Sequence, residues 1–389
     1  MDLAASLRER IRREGPIPFA DFQDAALYHP VEGFFGRGGA GRSGRDFVTS
    51  PEVGSLFGAV LARAIDDTWR RLGRPDPFLV VEVGAGRGRL AADVLRAEPE
   101  CAGALRYVTV ERSESLRDEQ RERLSLEPPD EALGPFVVDP DDDDGATVPQ
   151  PGTGPIVTAL AELPAVRASA LVIANELLDN LAVHVVERTD PGWAEVRVDC
   201  TDTEFVECLV PAGPAVAAEA DLLADGAVVP VGARLPVPLA ARAWLERVAT
   251  VVGRGEVLLL DYVDTVSGLA QRGQASWMRT YRGHERGDDP LVAPGSQDIT
   301  TDTPLEYLRR IADRTGLPVV EYVHQRDWLA QHGIAELVAE GDAAWREGAA
   351  RGDLAALAGR SRGVEAAALT DPGGLGAHRV VVLRRTGSG

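Results

Sequence analysis

Pro77-Phe78-Leu79-Val80-Val81-Glu82-Val83 runs without interruption into Gly84-Ala85-Gly86-Arg87-Gly88 and then Arg89-Leu90. Apolar residues fill successive positions of the first segment, as in a strand buried on both faces of a parallel sheet. The alternating glycines provide backbone for a sharp turn, and the spacing from Leu90 to Arg96 predicts a helix after it. Working outward, a second strand is expected at Leu105 to Val110, ending on Glu111, with a helix from Ser115 to Leu124. Further strands are expected at Ile156 to Ala159, Ala170 to Ala174, Val257 to Asp261, Val319 to Val323 and His378 to Arg384. Their alternation with helical stretches argues for an α/β fold around a mostly parallel seven-stranded sheet.

Residues 1–75 read as a helical amino-terminal region and 76–389 as the core. Leu3, Leu7 and Ile11 mark an amphipathic helix, Phe19 to Leu27 a second, and a glycine-rich loop runs from Gly33 to Gly44. Thr49 or Ser50 is expected to cap one helix running through Phe57, Leu61 and Ile65 to Trp69, with Pro51 in its first turn. Three insertions interrupt the core: an acidic segment at 127–154, an antiparallel β arm at 184–233, and a loop at 266–302 rich in glycine, proline and aspartate. Thr303 and Glu306 read as a capping box that opens a helix to Thr315.

All 41 basic residues are arginine, and 61 acids give a formal net charge of −20. Without lysine there is no Schiff base and no phosphate-binding P-loop lysine, and the acidic balance opposes nucleic acid as principal partner. Three scattered cysteines argue against a disulfide framework or a zinc site, and no histidine pair has metal-ligand spacing on a helix. No apolar span approaches membrane length, so a soluble, unprocessed cytoplasmic protein is expected.

Glycine-rich turns of this kind serve dinucleotide enzymes and methyltransferases alike, so NAD is one alternative. Two details favour S-adenosylmethionine. Position 89 is arginine where the dinucleotide pattern places glycine, and Glu82 stands two residues before Gly84, where a carboxylate can meet an ammonium group. Gly84, Gly86 and Gly88 would admit the methionyl part, and Glu111 would take the ribose hydroxyls.

The sequence also resembles the MidA-type methyltransferases, which include a mitochondrial complex I assembly-factor arginine methyltransferase. The matching segments are Ala26–Pro30, Gly33–Gly36, Asp46–Glu52, Phe57–Gly58, Val81–Leu90, Glu111–Arg117, Ala174–Asp179, Tyr281–His284, Asp289–Leu291 and Pro294–Thr300. The resemblance implies a class I (Rossmann-like) methyltransferase fold, S-adenosylmethionine as donor and a protein arginine as acceptor. It also assigns Thr49 and Ser50 to the cofactor and Glu52 to the substrate side. One departure is Asn180-Leu181-Ala182 where the family commonly has Ala-Leu-Pro, which bears on the shape of the substrate mouth.

Methyl transfer from a sulfonium is an in-line displacement, so catalysis rests on positioning the acceptor and excluding water. Asn175, Glu176 and Asp179 follow the fourth strand and are the candidate catalytic residues, with the two acids accepting from a guanidinium. Tyr281, His284, Gln297 and Asp298 are candidate substrate contacts. Alternatives are a cofactor-binding assembly factor and a small-molecule N- or O-methyltransferase; a homodimer is a further expectation.

Overall fold

Phe78–Val83 (β1) and Leu105–Val110 (β2) are buried at every position, as their unbroken apolar runs require. They belong to a sheet completed by Ile156–Leu160 (β3), Ala168–Asn175 (β4), Val252–Asp261 (β5), Val319–His324 (β6) and Arg379–Arg385 (β7). The strand order is β6-β7-β5-β4-β1-β2-β3. The run from β3 to β5 is parallel throughout, and β6 is antiparallel to β7. From β1 the chain moves outward to β2 and β3, then returns to place β4 on the other side of β1. That reversal is a topological switch point, beyond whose strand ends α/β proteins bind ligands.

These features are those of a computed structural model that describes residues 2–36, 49–134, 136–138, 147–149, 154–282, 285–287, 289–348 and 354–386. Most of the acidic segment, including Asp141 to Asp144, and part of the glycine-rich loop lie outside the described residues. The chain divides into two compact units. One, the sheet unit, comprises 48–175, 247–260 and 316–389; the other, the arm unit, comprises 1–47, 176–246 and 261–315.

In the sheet unit the helix Ser55–Arg71 lays Leu56, Phe57, Leu61 and Ile65 against Phe78 and Val80 of β1 in one apolar cluster. The single helix expected from residue 50 to 69 is in fact two, Ser50–Val53 and Ser55–Arg71, broken at Gly54. The cause lies far away in sequence. Glu365 accepts the Leu56 N–H at 2.9 Å, and its carboxylate fills the space a side chain on Gly54 would need. Between β6 and β7 the described residues form the α-helices Gln325–Gln331, Ile334–Gly348 and Leu354–Thr370.

In the arm unit the expected antiparallel arm is present as His184–Thr189, Gly192–Cys200, Phe205–Pro211 and Arg234–Val237. Ile17–Pro18 joins it by pairing with Val198 and Arg197, and a helix, Pro214–Ala224, interrupts it. The capping box at Thr303 does not form. Thr303–Pro304 pairs instead with Val263–Asp264, the helix starts at Leu305, and Glu306 accepts the Val266 N–H at 2.8 Å, at the start of another helix.

Candidate active site

Within the sheet unit, the turn after β1 is held by the end of β2. Val110 O accepts from Gly84 N at 2.9 Å and Ala85 N at 3.2 Å. Gly84, Gly86 and Gly88 have φ of 72°, 51° and 71°, the left-handed region that only glycine enters freely. Glu111 braces the loop: its Oε2 accepts from Gly86 N at 2.9 Å and its Oε1 from Ser113 N at 2.8 Å. Gln120, fully buried, donates to Gly86 O at 2.7 Å and accepts from the Thr109 hydroxyl at 2.7 Å. A Cβ on Gly86 would meet nothing within 4 Å, so the loop leaves open room at its crest.

Glu82 is 4% exposed and accepts from the Tyr107 hydroxyl at 2.7 Å. Burial pushes its carboxyl up to about 8, against the lowering pull of Tyr107 and of the Ala91 amide in the first turn of the following helix. Burial also raises Glu111, opposed chiefly by the amides of Ser113 and Gly86. Asn175 is the last residue of β4. Thr49 and Glu52 form a capping box on the short helix Ser50–Val53, and the Ser50 hydroxyl donates to Gln325 at 3.2 Å.

The arm unit contains a second group of carboxylates. Asp261, completely buried, accepts from Leu178 N at 2.7 Å, Leu177 N at 3.1 Å and Tyr262 N at 2.8 Å, and also from the Asp179 amide. These bonds fix the turn that follows Glu176, whose φ of 50° is strained for a residue with a side chain. Burial raises Asp261 to about 7 even against four amides. Asp179 is 2% exposed, and its Oδ1 has no hydrogen-bond partner among the described residues. Burial, and then the charges of Asp261, Glu176 and Asp298, push its carboxyl well above the ordinary range. Arg279 pulls it down, but Arg279 already pairs with Asp302 at 2.6 Å and lies 4.6 Å from the centre of the Tyr262 ring. The cluster is thus a crowd of buried carboxyls whose ionised forms lack a counter-charge, chemically suited to a planar cation.

The substrate candidates fall around the same turn in part. Tyr281 lies opposite Asp298 in an antiparallel pair, and Asp298 accepts from the Asn180 side-chain Nδ2 at 2.8 Å. Gln297 is spent internally, donating to Asp289 O and Val292 O. His284 lies outside the described residues. Among the described residues no group of three or more His, Cys, Asp or Glu could hold a metal ion, and no helix is long and apolar enough to cross a membrane. Sequence reading missed Asp261, Tyr262, Asn180, Tyr107 and Gln120. Asp261 did carry a signal, since it closes the apolar run Val257–Leu260 as Glu111 closes β2.

A family model described as "Putative S-adenosyl-L-methionine-dependent methyltransferase" matches residues 60–323. The chain belongs to this methyltransferase family. This methyltransferase is 30% identical to "Protein arginine methyltransferase NDUFAF7 homolog, mitochondrial" of Drosophila melanogaster, over 81% of the chain and 70% of that protein. The Mus musculus protein of the same name is also 30% identical, over 84% of the chain and 73% of its own length. The crystal structure of a Burkholderia thailandensis protein bound to S-adenosyl-homocysteine is 28% identical and superposes with a TM-score of 0.78, covering 100% of this chain and 92% of that one. The fold is that of class I methyltransferases, and the methyl donor is S-adenosylmethionine. The sheet unit fits that donor at the Gly86 crest, where a backbone without Cβ faces open room and the buried Glu111 holds the Gly86 amide.

Proposed function

We propose that this methyltransferase acts on the guanidinium of a protein arginine. The observation that carries the reading is the buried Asp179 Oδ1, without a hydrogen-bond partner among the described residues and crowded by other carboxyls. Such a group is costly to keep unless a cation with several N–H donors arrives, and a guanidinium offers five in a fixed fork. The names of the Drosophila and mouse relatives support the same acceptor.

In this reading Glu82, Gly84, Gly86, Gly88 and Glu111 hold the donor, with Thr49 and Ser50 assigned to it by the family motif. Bound S-adenosylmethionine supplies an electrophilic methyl group. Glu176 and Asp179 accept N–H bonds from the guanidinium, which orients one nitrogen and balances its charge. The family motif adds Glu52 and the strand-end reading adds Asn175 to the acceptor side, and Tyr281 and Asp298 are further candidates there, whereas the Gln297 amide is engaged by Asp289 and Val292. A guanidinium gaining a methyl group has a proton to lose. Asp179, with its proton affinity raised, suits that role.

The test incubates the full chain with isotope-labelled S-adenosylmethionine and a bacterial protein extract, then locates the label by mass spectrometry. Label on arginine, lost in Glu176→Gln and Asp179→Asn variants that still bind S-adenosyl-homocysteine, is the expected result. Label confined to small molecules or to other residue types would overturn the arginine assignment. Donor binding with no transfer to any extract component would favour a role in holding a partner.

A further inference from the structure

A cleft of about 400 Å³ in the sheet unit is lined by Ser55, Arg89, Ala92, Asp93, Arg96 and Arg123. Its volume lies within the range of ligand-binding clefts. Arg89, Ala92, Asp93 and Arg96 share one face of the helix Arg89–Arg96. Ser55 opens the 17-residue helix Ser55–Arg71, whose amino end is already met by the Glu365 carboxylate at the Leu56 amide, so the positive charge of the cleft comes from its arginines. Arg123, from the end of the helix Glu114–Arg123, donates to Arg87 O at 2.6 Å and has no carboxylate partner among the described residues. Asp93, 7% exposed, is the carboxylate in the cleft; it hydrogen-bonds to Arg96 and lies 3.9 Å from Arg89.

Three arginines therefore line a cleft whose lining holds one acid, Asp93, which meets Arg89 and Arg96, on a chain whose formal net charge is −20. We propose that this cleft docks an acidic segment of a partner protein. Arg89 and Arg96 are seven residues apart along the helix, about 10 Å between their backbones. An extended chain presents carboxylates on one face roughly every 7 Å, so a run of alternating acids can engage both arginines and reach Arg123. The arginines at 89 and 96 are about half or more exposed, at 47% and 65%, which suits long side chains reaching a flexible segment better than a desolvated seat for a single small ion. The charge of the rest of the chain repels polyanions, so binding of one reports a local site.

The test titrates the full-length protein at low ionic strength with a fluorescein-labelled ten-residue peptide of alternating aspartate and serine. An Arg96→Glu, Arg123→Glu double variant, checked for an unchanged melting profile, is expected to bind at least about tenfold more weakly, and added salt to weaken the wild type similarly. An Arg96→Gln variant should fall between the two. Equal affinity of wild type and double variant, or no binding by the wild type, would overturn the proposal. Displacement of the peptide by inorganic phosphate or pyrophosphate at concentrations where chloride has no effect would overturn it in favour of a small-anion site.

Discussion

Glu82 and Glu111 in the sheet unit and Asp179 in the arm unit are all buried carboxyls, yet they are surrounded in opposite ways. Tyr107 and the Ala91 amide face Glu82, and the amides of Gly86 and Ser113 face Glu111. Asp179 instead faces Asp261, Glu176 and Asp298, with one oxygen unpartnered among the described residues. Donors around the first pair make these acids part of the loop's own framework before any ligand arrives. Acids around the second leave a deficit that a cation can fill. Asp261 belongs by position to the second group and by chemistry to the first, since four amides feed it.

Asp261 is therefore where the contrast can be broken most forcefully. An Asp261→Ala substitution leaves the amides of Leu177, Leu178, Asp179 and Tyr262 without their acceptor. The expected loss is about 3–5 kcal/mol of stability, read by urea denaturation. Asp179→Asn keeps the neutral form that burial favours and orphans no such set of donors, so it should leave stability unchanged or raise it. A loss as large as that of Asp261→Ala would show Asp179 to be framework as well.

Glu82 gives a smaller effect with a defined sign. Its carboxyl sits at about 8 in the folded chain and near 4.3 when unfolded, so between these values the folded state holds the extra proton. Stability must then fall as pH rises through that window, by on the order of 1 kcal/mol per pH unit, and level off above the folded value. Glu82→Gln cannot release a proton and should flatten the profile of melting temperature against pH between about 5 and 8. An unchanged slope would mean that the carboxyl is not held neutral by burial. S-adenosyl-homocysteine, if its ammonium meets Glu82, should also flatten the wild-type profile by favouring the carboxylate.

The sheet and its glycine turn were legible because a strand buried on both faces has to be written in continuous apolar residues, as at Phe78–Val83 and Val257–Leu260. The break at Gly54 was not, because its cause is Glu365, more than 300 residues on. Thr303 and Glu306 match a capping box in spacing, but strand pairing took Thr303 and another helix took Glu306. The helices Ile334–Gly348 and Leu354–Thr370 cross where Gly341 meets Gly359, positions that read as breakers in sequence. For the site, Glu82, Glu111, Glu176 and Asp179 were picked by their places at strand ends. Asp261 stands at a strand end too, closing Val257–Leu260, but its hydrogen bonds to backbone, like those of Gln120, leave no spacing pattern of their own.

The smallest expected effect on stability separates framework from ligand space within the glycine turn itself. At Gly86 an added Cβ meets nothing within 4 Å, so Gly86→Ala pays only for its left-handed backbone, about 1 kcal/mol. At Gly88 the same backbone cost is joined by a Cβ 2.9 Å from Leu124 Cδ1 and 3.2 Å from Gln120 Cγ. Gly88→Ala should therefore be the less stable of the two, and Gln120 is the residue that holds Gly86 O. For binding, the order reverses if the open room at Gly86 is where the donor's methionyl part lies. Calorimetric titration with S-adenosyl-homocysteine should then show Gly86→Ala about tenfold or more weaker than wild type despite its milder melting shift. Wild-type affinity in Gly86→Ala would move the donor away from the crest of the turn and leave Glu82 and Glu111 as framework alone.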